Sequence, residues 1–257
     1  MDFQTLSVED IVFSYDGANC ILDKVGLSMD HPEIVGIVGP NGSGKTTLIK
    51  CINNILTPKQ GKIMIDESDI KSMRKNEIAK KLAYVPQKSD RDINSPNVYE
   101  VVLMGRKPHT SWQYTEKDDE IVWRNMEELS IAHLASHKFD ELSSGQLQRV
   151  LIARAITQEA KILLLDEPTS NLDVKYQIEV MNTIQRIVET KDVGACIIIH
   201  DLDLAYHFCD RIVMMGDKKI KYAGTPDEVM CPENIKDVFE VDSVIVEING
   251  TKHVVIT

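Results

Sequence analysis

The distribution of apolar residues along the chain predicts strands that alternate with helices. Short uninterrupted apolar runs at 162–165 and 196–199 are typical of parallel strands buried on both faces, and a third run at 34–38 also predicts a strand. Residues 6–13 alternate between apolar and polar positions instead, and this pattern predicts an edge strand. Together these elements indicate an α/β fold with a parallel sheet.

The same patterns predict the remaining elements of the two ends of the chain. In the tail, Asn249-Gly250 lies between two apolar runs and predicts a β-hairpin over 244–255. Further strands are predicted at 61–66, 82–87, 211–215 and 219–224, and a helical segment at 226–239.

The middle of the chain differs in character, because acidic, helix-forming segments replace the β-branched runs. Amphipathic helices are predicted at 98–104 and 118–129. We interpret about 88–158 as a helical subdomain inserted into a core made of about 1–87 and 159–257. No repeat or flexible linker divides the sequence, so a single domain over 1–257 is expected.

Composition and charge narrow the class of protein. Lysine and arginine number 29 against 40 acidic residues, which gives a net charge of −11. Nucleic-acid binding is therefore not expected, since such proteins gain much of their affinity from clustered basic residues. Five cysteines without C-x-x-C spacing indicate neither a disulfide framework nor a zinc site. With no apolar stretch of membrane-spanning length and no signal-peptide pattern, we expect a soluble cytoplasmic protein.

A glycine-rich stretch between the strand at 34–38 and a predicted helix has every position of the phosphate-loop pattern G-x-x-x-x-G-K-T. In this pattern, backbone N–H groups and the positive end of the helix dipole form a cradle for a di- or triphosphate. Lys45 is expected to contact the β- and γ-phosphates, and the Thr46 hydroxyl to bind Mg²⁺. The stretch consists of Gly39, Pro40, Asn41, Gly42, Ser43, Gly44, Lys45 and Thr46.

Two acidic residues follow the apolar run at 162–165. Asp166 and Glu167 come at the carboxyl end of a predicted buried strand, where a carboxylate must be solvated, paired or bound to metal. Ligands of open α/β sheets bind at this edge. We therefore expect Asp166 to hold Mg²⁺ and Glu167 to face the water that attacks the γ-phosphate. His200, at the end of the next buried strand, could sense or orient that phosphate.

Three other features each have a structural and a functional interpretation. Tyr15 could stack on adenine or simply pack at a strand end. Gln87 could contact a metal or a water, or be an ordinary polar residue that ends a strand. Ser143 is a good N-cap for a helix beginning near Leu147, and the hydroxyl groups and glycine around it are either an ordinary cap or a second anion site.

Taken together, these motifs resemble those of the ATP-binding cassette family over essentially the whole chain. The signature Leu142-Ser143-Ser144-Gly145-Gln146 lies between the phosphate loop and the Asp-Glu-Pro strand; Ser144 replaces the glycine usual in the family. The resemblance implies a P-loop (RecA-like) ATPase fold with a parallel sheet core, an antiparallel β edge and the helical subdomain. It implies that Tyr15 stacks on adenine, Gln87 contacts Mg²⁺ and the membrane partner, Glu167 is the catalytic carboxylate, Asp173 belongs to an intersubunit loop and His200 is a switch histidine. The nucleotide contacts it implies also include Thr47, Ser143, Ser144, Gly145 and Gln146.

The resemblance further implies how the chain would work. Two copies would pack head to tail and enclose two ATP molecules, so that the signature of one copy completes the phosphate site of the other.

The segment 97–109 and the run 224–242 are similar to those of ATPase subunits that import iron–siderophore, haem or cobalamin complexes. Such a subunit would act on the cytoplasmic face of the membrane with two permease subunits and, indirectly, an external binding protein. The alternatives are a cassette ATPase of DNA repair or chromosome maintenance, and an importer ATPase for a different cargo.

Overall fold

A computed structural model describes residues 6–17, 19–29, 32–87, 96–110 and 113–257. Within them, no helix has the length and apolar character needed to cross a bilayer. The strands are β1 Leu6–Phe13, β2 Leu22–Met29, β3 Ile34–Val38, β4 Gln60–Ile65, β5 Ser68–Asp69, β6 Leu82–Val85, β7 Ile162–Asp166, β8 Gly194–Ile198, β9 Arg211–Gly216, β10 Lys219–Gly224, β11 Ser243–Ile248 and β12 Thr251–Ile256. The helices are α1 Lys45–Ile52, α2 Lys75–Lys81, α3 Val98–Leu103, α4 Glu116–Glu128, α5 Ser144–Thr157, α6 Val174–Lys191, α7 Leu202–Phe208, α8 Pro226–Val229 and α9 Pro232–Phe239.

The central element is a six-stranded sheet of order β10-β9-β3-β8-β7-β6. Its strands are parallel except for β10, which pairs antiparallel to β9 at one edge. All five residues of β3, β7 and β8 are buried, as the apolar runs predict. Because β3 lies beside β8, and β8 beside β7, the carboxyl ends of the three strands lie along one edge of the sheet.

Successive residues of the buried strands pack into different layers. In β7, Ile162 and Leu164 join the core shared with α1 and the antiparallel strands, whereas Leu163 and Leu165 join the core shared with the helices of the opposite face. This division follows from the two-residue period of a strand. The parallel sheet is thus the middle of three layers, and its central strands β3, β7 and β8 are apolar along most of their length because both of their faces are covered.

The prediction of an edge strand at 6–13 is wrong in one respect. The strand exists as β1, but it lies inside a four-stranded sheet of order β2-β1-β4-β5, paired antiparallel with β2 and β4. The alternation arises because one face of β1 covers the core while the other is more open to solvent, and a half-buried interior strand gives the same pattern as an edge strand.

The helices of the middle segment carry explicit start signals. Asn97 caps α3 and Thr115 caps α4, each with a capping box: its side chain accepts from the backbone N–H three residues on, and its own backbone N–H donates to the side chain of that residue. Buried residues of these helices, including Val102 and Met126, belong to the same apolar cluster as Leu163 of the sheet. The division into a core and a subdomain at 88–158 stays a prediction, and residues 88–95 lie outside the described part.

The C-terminal segment also departs in detail from the sequence prediction. Residues 226–239 form two helices, α8 and α9, rather than one, because each begins at its own proline, Pro226 and Pro232. The hairpin is present as predicted: β11 pairs antiparallel with β12 around Asn249 and Gly250, which both have positive φ.

A buried charge cluster fixes the segment after α3. The Arg106 side chain, 4% exposed, donates from Nε to Asp118 at 2.8 Å and from one terminal nitrogen to the Thr157 carbonyl at 2.9 Å and to Glu159 at 2.7 Å. Burial on its own would raise the pKa of Asp118, but the hydrogen bonds from Arg106 and Thr115 outweigh it and lower the pKa to about 2. The cluster joins α4 to the C-terminal end of α5.

We expect Asp118→Asn to reduce the free energy of unfolding at neutral pH by about 1.5–3 kcal/mol, the scale of a hydrogen bond to a charged group. The depressed pKa means that this stabilisation is complete above the ordinary value of 3.8 and is lost as the pH falls through about 2. Urea unfolding of both proteins at several pH values measures the difference. The difference in the free energy of unfolding between the two proteins should shrink in acid. The control Glu120→Gln, at an exposed position of the same helix, should leave stability unchanged. Equal stability of wild type and Asp118→Asn at neutral pH would contradict the prediction.

Candidate functional site

The phosphate loop connects β3 to α1 as the sequence predicts. Gly39 has φ +154°, and a Cβ placed on it would lie 2.3 Å from the Met215 carbonyl oxygen, so no other residue fits there. The Lys45 ammonium is held inside the loop, where it donates to the carbonyls of Gly39 at 2.8 Å and Pro40 at 3.0 Å. Burial lowers the pKa of Lys45, and the charges of Glu167 and Asp166 oppose that effect.

Asp166 meets the loop from β7. Its Oδ1 accepts the Thr46 hydroxyl at 3.0 Å, and its Oδ2 accepts the Tyr84 hydroxyl at 3.2 Å. The side chain is 2% exposed. Burial raises the pKa of Asp166 above its ordinary value, with the charge of Glu167 acting the same way, whereas the two hydroxyl hydrogen bonds oppose the rise. Asp166 and Thr46, which are far apart in sequence, therefore form one oxygen-rich corner.

Glu167 is held between two other predicted residues. His200 Nε2 lies 2.6 Å from Glu167 Oε1, and the Gln87 amide donates to Oε2. Glu167 itself has φ +53°, a left-handed conformation that is uncommon for a glutamate and that turns the chain at the end of β7. The three side chains come from the ends of β6, β7 and β8, at the same edge of the sheet.

Tyr15 and Thr47 form the rim of the site. Their hydroxyls are 3.3 Å apart, and the Tyr15 ring packs edge-on against Phe13 with the ring centroids 4.9 Å apart. Tyr15 is nevertheless 64% exposed, so most of its surface is available to a ligand. A cavity of about 280 Å³ opens here, lined by Tyr15, Ile21, Asn41, Gly42, Gly44, Lys45, Thr46, Thr47 and Glu167.

The signature stretch lies elsewhere on the surface. Ser143 caps α5: its hydroxyl accepts from Gln146 N at 3.4 Å, and its own N–H donates to the Gln146 side chain at 3.0 Å. A Cβ on Gly145 would lie 3.3 Å from the Tyr176 ring, so the start of α5 packs closely on α6. In the described part of the chain, the lining of the phosphate cavity includes no signature residue, and Asp173, the exposed N-cap of α6, does not line it either.

The structure therefore groups the predicted residues in two places. The phosphate loop, Asp166, Glu167, Gln87, His200, Tyr15 and Thr47 form one site, and Ser143, Ser144, Gly145 and Gln146 lie at the start of α5. Sequence reasoning missed Ile21 in the cavity lining and the Tyr84 hydroxyl on Asp166. Tyr84 is the next-to-last residue of β6, the strand that leads to Gln87, and this position was the available signal. The role of each individual residue stays a prediction.

The residues of the site fit a magnesium nucleotide. The Ser43 hydroxyl is buried in the loop and has no hydrogen-bond partner among the described residues. The Lys45 ammonium bonds two carbonyls of its own loop, which a phosphate can replace as the stronger acceptor. The Thr46 hydroxyl and the Asp166 carboxylate are oxygen donors of the kind that Mg²⁺ prefers.

A phosphate loop at the head of a parallel sheet and an acidic pair two strands away define a P-loop ATPase. A family model described as ABC transporter matches residues 22–170, and this chain belongs to the ABC transporter family. It is 44% identical to an uncharacterized ABC transporter ATP-binding protein of Methanocaldococcus jannaschii over 99% of both chains.

One further relative and one solved structure are also members of the ABC transporter family. The petrobactin import ATP-binding protein FpuD of Bacillus anthracis is 35% identical over 93% of this chain and 88% of its own. A solved structure of a metal-chelate type ABC transporter in an inward-facing conformation matches with a TM-score of 0.86 and 26% identity, over 99% of this chain and 98% of that one. The predicted family and fold class are confirmed.

Proposed function

We propose that this chain is the ATP-hydrolysing subunit of an importer that takes up a metal chelate of the iron–siderophore, haem or cobalamin kind. The observation that carries the ATPase part is one cavity lined by Lys45 and Glu167, in which Thr46 is bonded to Asp166 and Glu167 to His200. The cargo class is supported by the petrobactin importer and by the metal-chelate type transporter among its relatives.

Nucleotide binding would begin at the loop. The Lys45 ammonium turns from the carbonyls of Gly39 and Pro40 to the β- and γ-phosphate oxygens, and the first N–H groups of α1 face the same charge. Tyr15 offers its exposed ring to the adenine at the rim. Both ends of the nucleotide are then held by groups whose positions the sheet fixes.

The metal corner would be formed by Thr46, Asp166 and Gln87. When bound, Mg²⁺ neutralises charge on the β- and γ-phosphates. Tyr84 keeps Asp166 oriented by its hydroxyl hydrogen bond. The Gln87 amide, which contacts Glu167 in the structure, can turn its oxygen towards the metal because a side-chain amide both donates and accepts.

Glu167 would position and deprotonate the attacking water. Its carboxylate lies next to the metal corner, and His200 holds one of its oxygens at 2.6 Å. A carboxylate fixed in this way is suited to accept a proton from water, the role of a general base. His200 would in addition contact the γ-phosphate and so couple the presence of this phosphate to α7, whose N-cap Asp201 is the next residue.

A homodimer would complete the reaction. Ser143 and Ser144 are exposed at the start of α5, where backbone N–H groups and the helix dipole favour an anion, yet this position lies outside the cavity of its own chain. Phosphoryl transfer needs positive electrostatics on the γ-phosphate from more than one side. A second copy, packed head to tail, would supply them, with Asp173 near the contact.

The permease subunits would dock on a groove beside the nucleotide site. This groove, of about 630 Å³, lies between α2 and the turn that follows α3, and its lining includes Ile55 and Met104, which are 53% and 42% exposed. Apolar side chains that are exposed together in one groove, rather than scattered singly, are a feature of partner surfaces. Tyr84 lines the groove and also donates to Asp166. A partner in the groove would therefore contact a residue that orients the proposed magnesium ligand Asp166. The subunit would thus sit on the cytoplasmic face of the membrane, with an external binding protein delivering the cargo.

Uptake measurements test the proposed cargo. In cells that lack this chain, uptake of a radiolabelled iron chelate, haem or corrinoid is expected to fall to background, whereas uptake of amino acids and sugars stays normal. Expression of the wild-type chain should restore uptake, and expression of Glu167→Gln should not, because its ATP hydrolysis is lost. Normal uptake of all three metal chelates in the deleted strain would refute the cargo class and leave the ATPase assignment standing.

A further inference from the structure

The helix α7 and the C-terminal hairpin meet through three side chains that the nucleotide site does not use. They are Asp203 and His207 on α7 and His253 on β12, each half-buried. Among the described residues, this group of histidines, cysteines and acids is the one close enough together to hold a metal ion. From it we infer that the chain binds a zinc-type divalent cation between α7 and the hairpin, with Asp203, His207 and His253 as ligands.

The potential ligand atoms lie close together, with the Asp203 carboxylate presenting a different oxygen to each histidine. His207 Nε2 lies 3.2 Å from His253 Nδ1, His253 Nδ1 lies 3.1 Å from Asp203 Oδ2, and His207 Nε2 lies 3.4 Å from Asp203 Oδ1. Tetrahedral zinc with bonds of about 2.0–2.1 Å requires its ligand atoms to be about 3.3 Å apart, the edge of such a tetrahedron. The separation of the two imidazole nitrogens, and that of each nitrogen from a carboxylate oxygen, is therefore the spacing of ligands around one ion, and a water can take the fourth position.

Hydrogen bonding alone satisfies this arrangement less well. A neutral imidazole nitrogen carries either one proton or one lone pair, and here His253 Nδ1 faces both a carboxylate and the His207 nitrogen. If both nitrogens carried protons, each could donate to Asp203, but neither could then accept from the other across the 3.2 Å that separates them. A cation accepts the lone pairs of both imidazoles and the carboxylate at once, which removes the conflict.

The surroundings hold the ligands in place. Asp203 and His207 are four residues apart on one face of α7, a spacing that helical metal sites use. Asp203 Oδ1 also accepts the Val254 backbone N–H at 2.9 Å, which fixes the carboxylate against β12. The neighbouring cation, Lys252, is engaged by Asp227 at 2.6 Å. Two neutral imidazoles and one carboxylate favour zinc over magnesium, which prefers oxygen ligands.

Titration of the nucleotide-free chain, purified without a histidine tag, tests the site. Isothermal titration calorimetry with ZnCl₂ is expected to show one zinc ion per chain, and zinc should raise the melting temperature, because an ion that binds only the folded state stabilises it. MgCl₂ at the same concentration should not. Co²⁺ should give the intense visible absorption of tetrahedral coordination.

Three variants make the outcome decisive. His207→Gln and His253→Gln are expected to weaken zinc binding at least about 100-fold, the upper end of what lost supporting contacts cost at metal sites. Asp203→Asn keeps an oxygen that accepts from Val254 N–H, so it should fold normally and still lose most of the affinity. His133→Gln, at an exposed position outside the cluster, is the matched control and should bind as wild type does. Absence of zinc binding by wild type, or equal binding by wild type and Asp203→Asn, would overturn the inference; the contact would then be a hydrogen-bonded triad, or zinc would bind at cysteines.

Discussion

Replacing Glu167 with glutamine is expected to lower steady-state ATP hydrolysis by about 10²-fold or more, the scale of a lost general base, without preventing ATP binding. Glutamine preserves the size of the side chain and can still bond His200 and Gln87, which hold the glutamate in the structure. It cannot take a proton from water. Phosphate release under saturating ATP measures hydrolysis, and equilibrium binding of a fluorescent ATP analogue measures affinity.

The same variant tests the homodimer. Loss of the carboxylate charge removes its repulsion with the γ-phosphate, so Glu167→Gln with ATP should form a longer-lived dimer than wild type does. Size-exclusion chromatography with light scattering measures the dimer, which should be absent with ADP. Glu179→Gln, on the exposed face of α6, is the control and should hydrolyse ATP normally. Wild-type turnover by Glu167→Gln would remove this residue from catalysis. A variant that stays monomeric at every ATP concentration, even with its permease present, would count against the two-chain site.

The second large effect is expected at the phosphate loop. Lys45→Ala removes the ammonium that would bind the β- and γ-phosphates, and each hydrogen bond to a charged group is worth about 1.5–3 kcal/mol, or roughly 10- to 100-fold in affinity. Binding of ATP should weaken by at least that factor, and turnover should fall to background. The fold should survive, because burying a lysine is itself costly, as its lowered pKa indicates.

Comparison with another lysine separates charge loss from general damage. Lys62→Ala, at an exposed position of β4, makes the same chemical change away from the loop and should bind and hydrolyse ATP normally. Thermal unfolding of both variants checks that each is folded. Near-wild-type hydrolysis by folded Lys45→Ala would refute the assignment of the loop.

Much of the nucleotide site could be predicted because its parts are short local patterns. The loop around Gly39, the buried run before Asp166 and the cap at Ser143 each combine a motif with a neighbouring strand or helix, and strands of a parallel sheet bring such motifs to one edge. The hairpin at Asn249 followed from its turn residues alone. In each case the physical requirement acts within a few residues and is visible in the sequence.

Contacts between distant segments could not be predicted in this way. The bonds that join Arg106 to Asp118 and Glu159 depend on how α4 packs on α5, which no local pattern specifies. The same holds for Tyr84 on Asp166 and for His207 beside His253. The wrong prediction that β1 is an edge strand has a similar cause. The alternation of apolar and polar residues shows how buried each face of a strand is, but not how many neighbouring strands it pairs with.

The strand order has a consequence for how the chain acquires activity during synthesis. β3, which leads into the phosphate loop, pairs with β8 and β9, whose residues at 194–216 follow it by more than half of the chain. The sheet formed by β1, β2 and β4 needs only the first third of the sequence, so it can form while the ribosome is still adding residues. Pairing over such long separations is slow because loop closure must precede it. A nascent chain therefore carries its phosphate loop long before Asp166 and His200 arrive, and competence for hydrolysis is a late event of folding.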